Sequence, residues 1–154
     1  MKNLKALVIS ILIPLSVGAL SAFLTKNSMS TYEKLIQPPL SPPGWLFPIV
    51  WTILFILMGI SSYMIYISDS PYKKSALQIY AIQLAVNFFW TIIFFNMERY
   101  LFAFIWLLLL LVLIFFMIIS FSRINKTAAY LQIPYLLWVA FAGYLNLGIY
   151  LLNR

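Results

Sequence analysis

The sequence predicts an all-α integral membrane protein, a five-transmembrane-helix bundle formed by a single domain over residues 1–154. Three observations carry that prediction. The chain is 64% hydrophobic, with a mean hydropathy of +1.00. Only 8% of its residues are charged, against about 25% in a soluble domain, so a water-facing surface cannot be built. The ten Lys/Arg and three Asp/Glu also fall between apolar runs and not within them. A soluble globular enzyme and a disordered chain are thereby excluded.

The five runs cover about residues 6–24, 46–67, 76–95, 100–121 and 128–152. Each holds roughly 19–25 residues, enough at about 1.5 Å per residue to cross a hydrocarbon core of about 30 Å. All five are expected to be helical, because lipid offers the backbone no partner but itself. The first run also has the layout of a signal peptide: Lys2 and Lys5, an apolar stretch, then small residues from Gly18 to Ala22. It is read here as a retained helix of the bundle. The fourth run is apolar all round and reads as scaffold facing lipid, Trp106 included.

Between the first two runs lies a longer connection, 25–45, containing Gln37-Pro38-Pro39-Leu40-Ser41-Pro42-Pro43-Gly44-Trp45. Four prolines there fix φ, remove backbone donors and favour a stiff extended path. A short helix is expected ahead of them, over Thr31–Ile36. A connection of this length and composition is a lid over a site or, failing that, a rigid spacer. The other connections are tight, although Asn96-Met97-Glu98-Arg99 lacks the Gly or Pro that a sharp turn favours.

Charge sets the orientation and narrows the chemistry. One face carries Lys2, Lys5, Lys73, Lys74, Arg123 and Lys126, the other Lys26, Lys34, Arg99 and Arg154. That bias puts the N-terminus of a multi-pass cell-membrane protein in the cytoplasm. The net charge of +7 forms no patch or stripe, so nucleic acid is not expected as a partner. Without a single Cys or His, thiolate and Ser-His-Asp chemistry and tetrahedral zinc sites have no ligands. No metal site is expected. The absence of acids and bases inside the runs disfavours a pump or proton relay.

What remains is aromatic and amide chemistry on helical faces. Gln83, Asn87, Trp90 and Phe94 share one face of the third run at i, i+4, i+7 and i+11. Phe47, Trp51, Phe55, Met58 and Ser62 do so on the second, and Tyr135, Trp138, Ala142 and Asn146 on the fifth. Pro14, Gly18 and Ala22 form a small-residue face on the first, where backbones can approach. Trp51, Asn87, Trp90 and Asn146 fall by residue count in the membrane half beneath the proline connection, with Trp138 deeper as a floor. A lipophilic-ligand pocket and ordinary interhelical packing are both open readings of these stripes. Trp45 fits an interfacial belt. Ala81 and Ala85 make a small-xxx-small pair compatible with packing or dimerisation.

Three blocks then carry a family resemblance. Pro42-Pro43-Gly44-Trp45-Leu46-Phe47-Pro48-Ile49-Val50-Trp51-Thr52 with Met58-Gly59 is the first. Gln83-Leu84-Ala85-Val86-Asn87-Phe88-Phe89-Trp90 with Phe94-Phe95 is the second. Pro134-Tyr135-Leu136-Leu137-Trp138 with Phe141-Ala142 and Leu145-Asn146 is the third. In this order they resemble the tryptophan-rich sensory protein/translocator protein (peripheral-type benzodiazepine receptor) family, in a bacterial form, over essentially the whole chain. Thr31 stands where many members have Trp, Leu40 where an aromatic is common, and Phe55 where Tyr is usual.

The resemblance implies a five-helix bundle that often dimerises, with a pocket under the first loop for porphyrins and other lipophilic small molecules. The ligand-binding residues it and the stripes together suggest are Tyr32, Phe47, Trp51, Phe55, Asn87, Trp90, Tyr135, Trp138, Ala142 and Asn146. It further implies light-dependent breakdown of protoporphyrin, with the porphyrin as ligand or substrate and no covalently bound cofactor. Because indole is readily oxidised, Trp51 and Trp138 are the residues expected to give an electron to the excited ring. A carrier or sensor-receptor for porphyrins or sterol-like lipophiles, and a ligand-free scaffold, are the alternatives.

Overall fold

The computed structural model describes residues 3–154. Its helices are α1 (Leu4–Thr25), α2 (Met29–Glu33), α3 (Leu46–Tyr66), α4 (Lys73–Thr91), α5 (Tyr100–Ser122), α6 (Lys126–Leu131) and α7 (Ile133–Asn153). Five helical stretches are long and apolar enough to cross a membrane, and no strand occurs among the described residues. Successive spans alternate in direction. Lys5, Lys73, Lys74, Arg123 and Lys126 therefore lie at one end and Lys26, Lys34, Arg99 and Arg154 at the other. Lys2, counted with the first group, lies outside the described residues.

Four details depart from the sequence expectation. The connection after α1 does not begin at residue 25: a 3₁₀ turn over Lys26–Ser28 carries the chain into α2. The short helix is thus Met29–Glu33, about a turn earlier than expected. Second, α4 ends in a π-helical turn over Ile92–Asn96, closed by Met97 N–H donating to the Ile92 carbonyl at 3.0 Å. Glu98, at φ 54°, then supplies the left-handed turn that glycine would otherwise provide.

Third, the fifth span is broken at Gln132. Pro134 lacks the N–H that would continue the ladder and restricts Ile133 before it, so α6 stops and α7 restarts within one residue. Asn125 caps α6, its Oδ1 accepting from Ala128 N–H at 3.1 Å.

Fourth, α5 faces lipid on one side, through Leu101, Ile105, Leu108, Val112 and Phe116, but its other side is buried. It packs on α4, α6 and α7. Ala103, Leu107, Leu110, Ile114, Met117 and Phe121 form its buried row at steps of three and four. Trp106 is likewise turned inward, its Nε1–H donating to the Val86 carbonyl of α4 at 2.8 Å. A helix apolar on every side has no pattern to reveal its inner face, because lipid is as apolar as leucine. The peripheral helix is α1, whose Val8, Ile9, Leu12, Ile13, Leu20 and Phe23 are all exposed.

α1 is held against α3 by two glycines. A Cβ at Gly59 would strike the α1 backbone at Ile11, and one at Gly18 would enter the Phe55 ring. Close backbone approach at small residues is how helices associate in lipid. At the far side, α6 closes on α3, where Ser61 Oγ–H donates to the Ala128 carbonyl at 2.7 Å. α3 and α7 themselves scarcely meet, and their seam is open.

Candidate functional site

That seam is a groove of about 420 Å³, lined by Val50, Ile53, Leu54 and Leu57 of α3 and by Pro134, Leu137, Trp138 and Phe141 of α7. Its volume falls within the usual range of ligand sites. Leu137 and Ile53 are more than half exposed at its rim, so it opens toward lipid. The Trp138 Nε1–H is buried with no hydrogen-bond partner. It is the only polar side-chain atom among the lining residues, which are otherwise hydrocarbon.

Of the residues singled out from sequence, Trp138 alone lines this groove. Phe47 leans on it edge-on, with ring centroids 5.8 Å apart. Trp51 sits one layer further in, stacked on Phe55 at 5.5 Å and edge-on to Tyr135 at 6.3 Å. Tyr135 is fully buried and ties two helices together. Its hydroxyl accepts from Asn87 Nδ2 at 2.7 Å and donates to Gln83 Oε1 at 2.7 Å. Asn87 is therefore already engaged, at 4% exposure. Ala142 is buried in the main core two turns above.

Tyr32, Trp90 and Asn146 belong to a second cluster. Trp90 Nε1–H donates to Asn146 Oδ1 at 3.0 Å, and Asn146 Nδ2 donates to the Tyr100 carbonyl at 2.8 Å. Both amide functions of Asn146 are thus spent on structure. Tyr32 packs on Phe94 and Phe95 at 5.9 and 5.3 Å. The π-helical turn lets these consecutive phenylalanines meet the same ring, since it widens the local turn by a residue. Trp90 bridges the two clusters, touching Phe94 at 5.3 Å.

The proline segment is laid along the outer half of α7. Ile36 pairs with Asn153 through two bonds of 2.9 Å: Ile36 N–H donates to Oδ1, and Nδ2 donates to the Ile36 carbonyl. Pro38 is buried over Gly148, where a Cβ would come within 2.6 Å of the proline ring. Tyr144 Oη–H donates to the Pro39 carbonyl at 2.6 Å. Successive loop residues thus meet α7 at 153, 148 and 144, descending the helix. Sequence reasoning missed this latch. Asn153, Gly148 and Tyr144 carry no motif, and their spacing of five and four does not keep to one face of the helix.

A model of the TspO/MBR family matches residues 10–152. The chain is 39% identical to the tryptophan-rich protein TspO of Chlorobaculum tepidum, covering 99% of this chain and 98% of the relative. It is 36% identical to the translocator protein of Bos taurus, over 88% of this chain and 82% of that protein. Against the tryptophan-rich sensory protein of Cereibacter sphaeroides the identity is 33%, over 79% and 76%. With its five apolar spans and its order of tryptophan-bearing helices, this chain belongs to the TspO/MBR family of membrane proteins.

Proposed function

We propose that this membrane protein binds protoporphyrin and other flat lipophilic molecules at the α3–α7 groove and promotes light-dependent oxidation of the bound porphyrin. The observation that carries the reading is Trp138, with its ring in the groove wall and its Nε1–H unpartnered. An apolar macrocycle gains from burial against hydrocarbon, and from an indole face by about 0.5–1.5 kcal/mol beyond that. Its carboxylate or carbonyl oxygens then offer an acceptor to the orphaned donor. Under illumination one electron passes from the Trp138 indole to the excited porphyrin. The reduced ring passes it to dioxygen, the superoxide so formed adds to the ring, and the adduct returns one electron to the oxidised indole, so that porphyrin and dioxygen are consumed and Trp138 is restored. Trp51, one layer in and edge-on to Tyr135, is the second indole from which an electron could be drawn.

The test is initial porphyrin loss under fixed illumination, divided by porphyrin bound. Trp138→Phe should bind yet lose most of that normalised rate, because Phe keeps much of the stacking surface. A variant that keeps the parent's rate leaves Trp138 as a wall. A second reading, a carrier, is favoured by one observation: the groove opens to lipid and not to water. Porphyrin flux across proteoliposomes in the dark would establish it. The charge bias of the two ends supports an N-terminus in the cytoplasm of a cell-membrane protein. Ala81 and Ala85 face outward on α4, the side on which pairing of two chains would occur.

A further inference from the structure

We infer that the inner half of the bundle holds a second, polar site, formed by Tyr80, Gln83 and Gln132, that binds a small neutral oxygen group. The guest is a water molecule or the carbonyl or ether oxygen of an otherwise apolar ligand. The site is separate from the α3–α7 groove and does not depend on what the groove binds.

Four polar atoms carry this inference. Tyr80 Oη, Gln83 Nε2 and both Oε1 and Nε2 of Gln132 are buried and have no hydrogen-bond partner. The three residues are 7%, 0% and 0% exposed, so bulk water does not reach them. The Tyr80 hydroxyl stands near Ser62 but outside bonding geometry. Ser62 gives its one O–H to the Gly59 carbonyl at 3.0 Å, so it has no donor left for Tyr80.

Register places these groups together. α4 and α7 run parallel, and the Tyr135 hydroxyl reaches Gln83 across a separation of 52 residues. The same separation relates Tyr80 to Gln132, each three residues nearer the inner end on the buried row of its helix. The backbone stays near helical geometry through the break, at φ −92° and ψ −7° for Gln132, which keeps that register. Tyr80 and Gln132 therefore form the next rung inward of the Gln83–Tyr135–Asn87 bridge. Gln83 belongs to the outer rung, and its Nε2 is left free there.

The chemistry of the set defines the guest. It offers amide N–H groups from two glutamines, a phenol that can donate or accept, and one amide carbonyl. A neutral oxygen accepts from the first three. A water also donates to the carbonyl, completing the bonds a buried water needs. None of the three side chains is ionised, so a charged guest would be desolvated without a counter-charge from them.

Two measurements on the full chain in detergent micelles test the site. The first is thermal unfolding of Gln132→Leu and of Tyr80→Phe. An occupied site has its polar atoms satisfied, so each variant strands a bond and melts lower than the parent. If the atoms are truly unpaired, removing them relieves a desolvation cost and both variants melt higher, which overturns the inference. The second distinguishes the two sources, using benzophenone as an apolar ketone probe. A ketone stretch moved to lower frequency than in empty micelles, the shift being lost in Gln132→Leu, assigns the guest to the ligand. No shift, with ordered oxygen density between the three side chains in a crystal structure, assigns it to water. Neither a shift nor ordered oxygen overturns the site, and that arm stands on the parent protein even if the variants fail to fold.

Discussion

Asn153→Ala should unlatch the proline segment and speed the release of bound protoporphyrin. The substitution removes the two 2.9 Å bonds that clamp Ile36, one to its N–H and one to its carbonyl. Both are exposed, so each belongs at the low end of the net range for a hydrogen bond, and the pair is worth about 1–2 kcal/mol. If release requires the segment to lift from α7, that loss becomes roughly a 5–30-fold faster off-rate. The buried Pro38–Gly148 contact and the Tyr144–Pro39 bond remain, so the segment should loosen without leaving the helix. The assay is recovery of tryptophan fluorescence after rapid dilution of the loaded protein, with circular dichroism to show the bundle intact. An off-rate equal to the parent's would refute the lid. It would mean that ligand exits sideways through the α3–α7 groove and that the prolines serve only as a spacer. Gly148→Ala offers an independent route, since its Cβ would push the Pro38 ring away, and it should move the off-rate in the same direction.

The remaining predictions concern packing, the polar bridge and the choice of control. Gly59→Ala should destabilise the fold by about 1–3 kcal/mol or more, read as a lower melting temperature, because its Cβ meets the α1 backbone and not a movable side chain. Gly143→Ala, with Leu107 at an ordinary 3.9 Å, should melt with the parent, and equal losses at both would show that the α1–α3 approach is not special. Asn87→Leu should cost about 1–3 kcal/mol of stability, since the Tyr135 hydroxyl loses its donor while remaining buried. In the Tyr135→Phe background the same change should cost less, and additive losses would mean that the two side chains are uncoupled. Trp106→Phe should destabilise through its lost bond to Val86, whereas exposed Trp45→Phe should be silent in stability and photochemistry alike.

The five spans and most of their ends were legible because lipid demands long apolar helices and short charged connections. The inward faces of α3, α4 and α7 were legible for a different reason. Gln83, Asn87, Tyr135 and Asn146 interrupt the apolar pattern, and a polar group in lipid must turn toward the bundle. Where nothing interrupts the pattern, as on α5, the inner face could not be read. The residues of the site were legible as rows but not as neighbours. Tyr32 and Trp51 are both expected from sequence to line one pocket, yet the π-helical turn at Ile92–Asn96 draws Tyr32 to Phe94 and Phe95 instead. Such a turn adds one residue without any signature in composition. The latch on α7 was hidden because its contacts run through the backbone of Ile36 and Pro39, which no side-chain pattern reports.

The site's lack of ionisable groups has its own consequence. Trp51, Trp138, Phe47, Phe55 and Asn87 bear no group that changes protonation between about pH 5 and 9, and the chain has no His or Cys to supply one. Recognition must then rest on shape, stacking and hydrogen bonds from neutral donors. Of these, Trp138 Nε1–H is the free one at the groove. Its strength does not vary with pH, so any pH dependence of binding must come from the ligand. Protoporphyrin and its dimethyl ester separate the two contributions, since only the acid titrates. The ester should bind with the same affinity across that range, read by tryptophan quenching. An ester affinity that changes with pH would place a titrating protein group at the groove, and the neutral-donor account of recognition would fail.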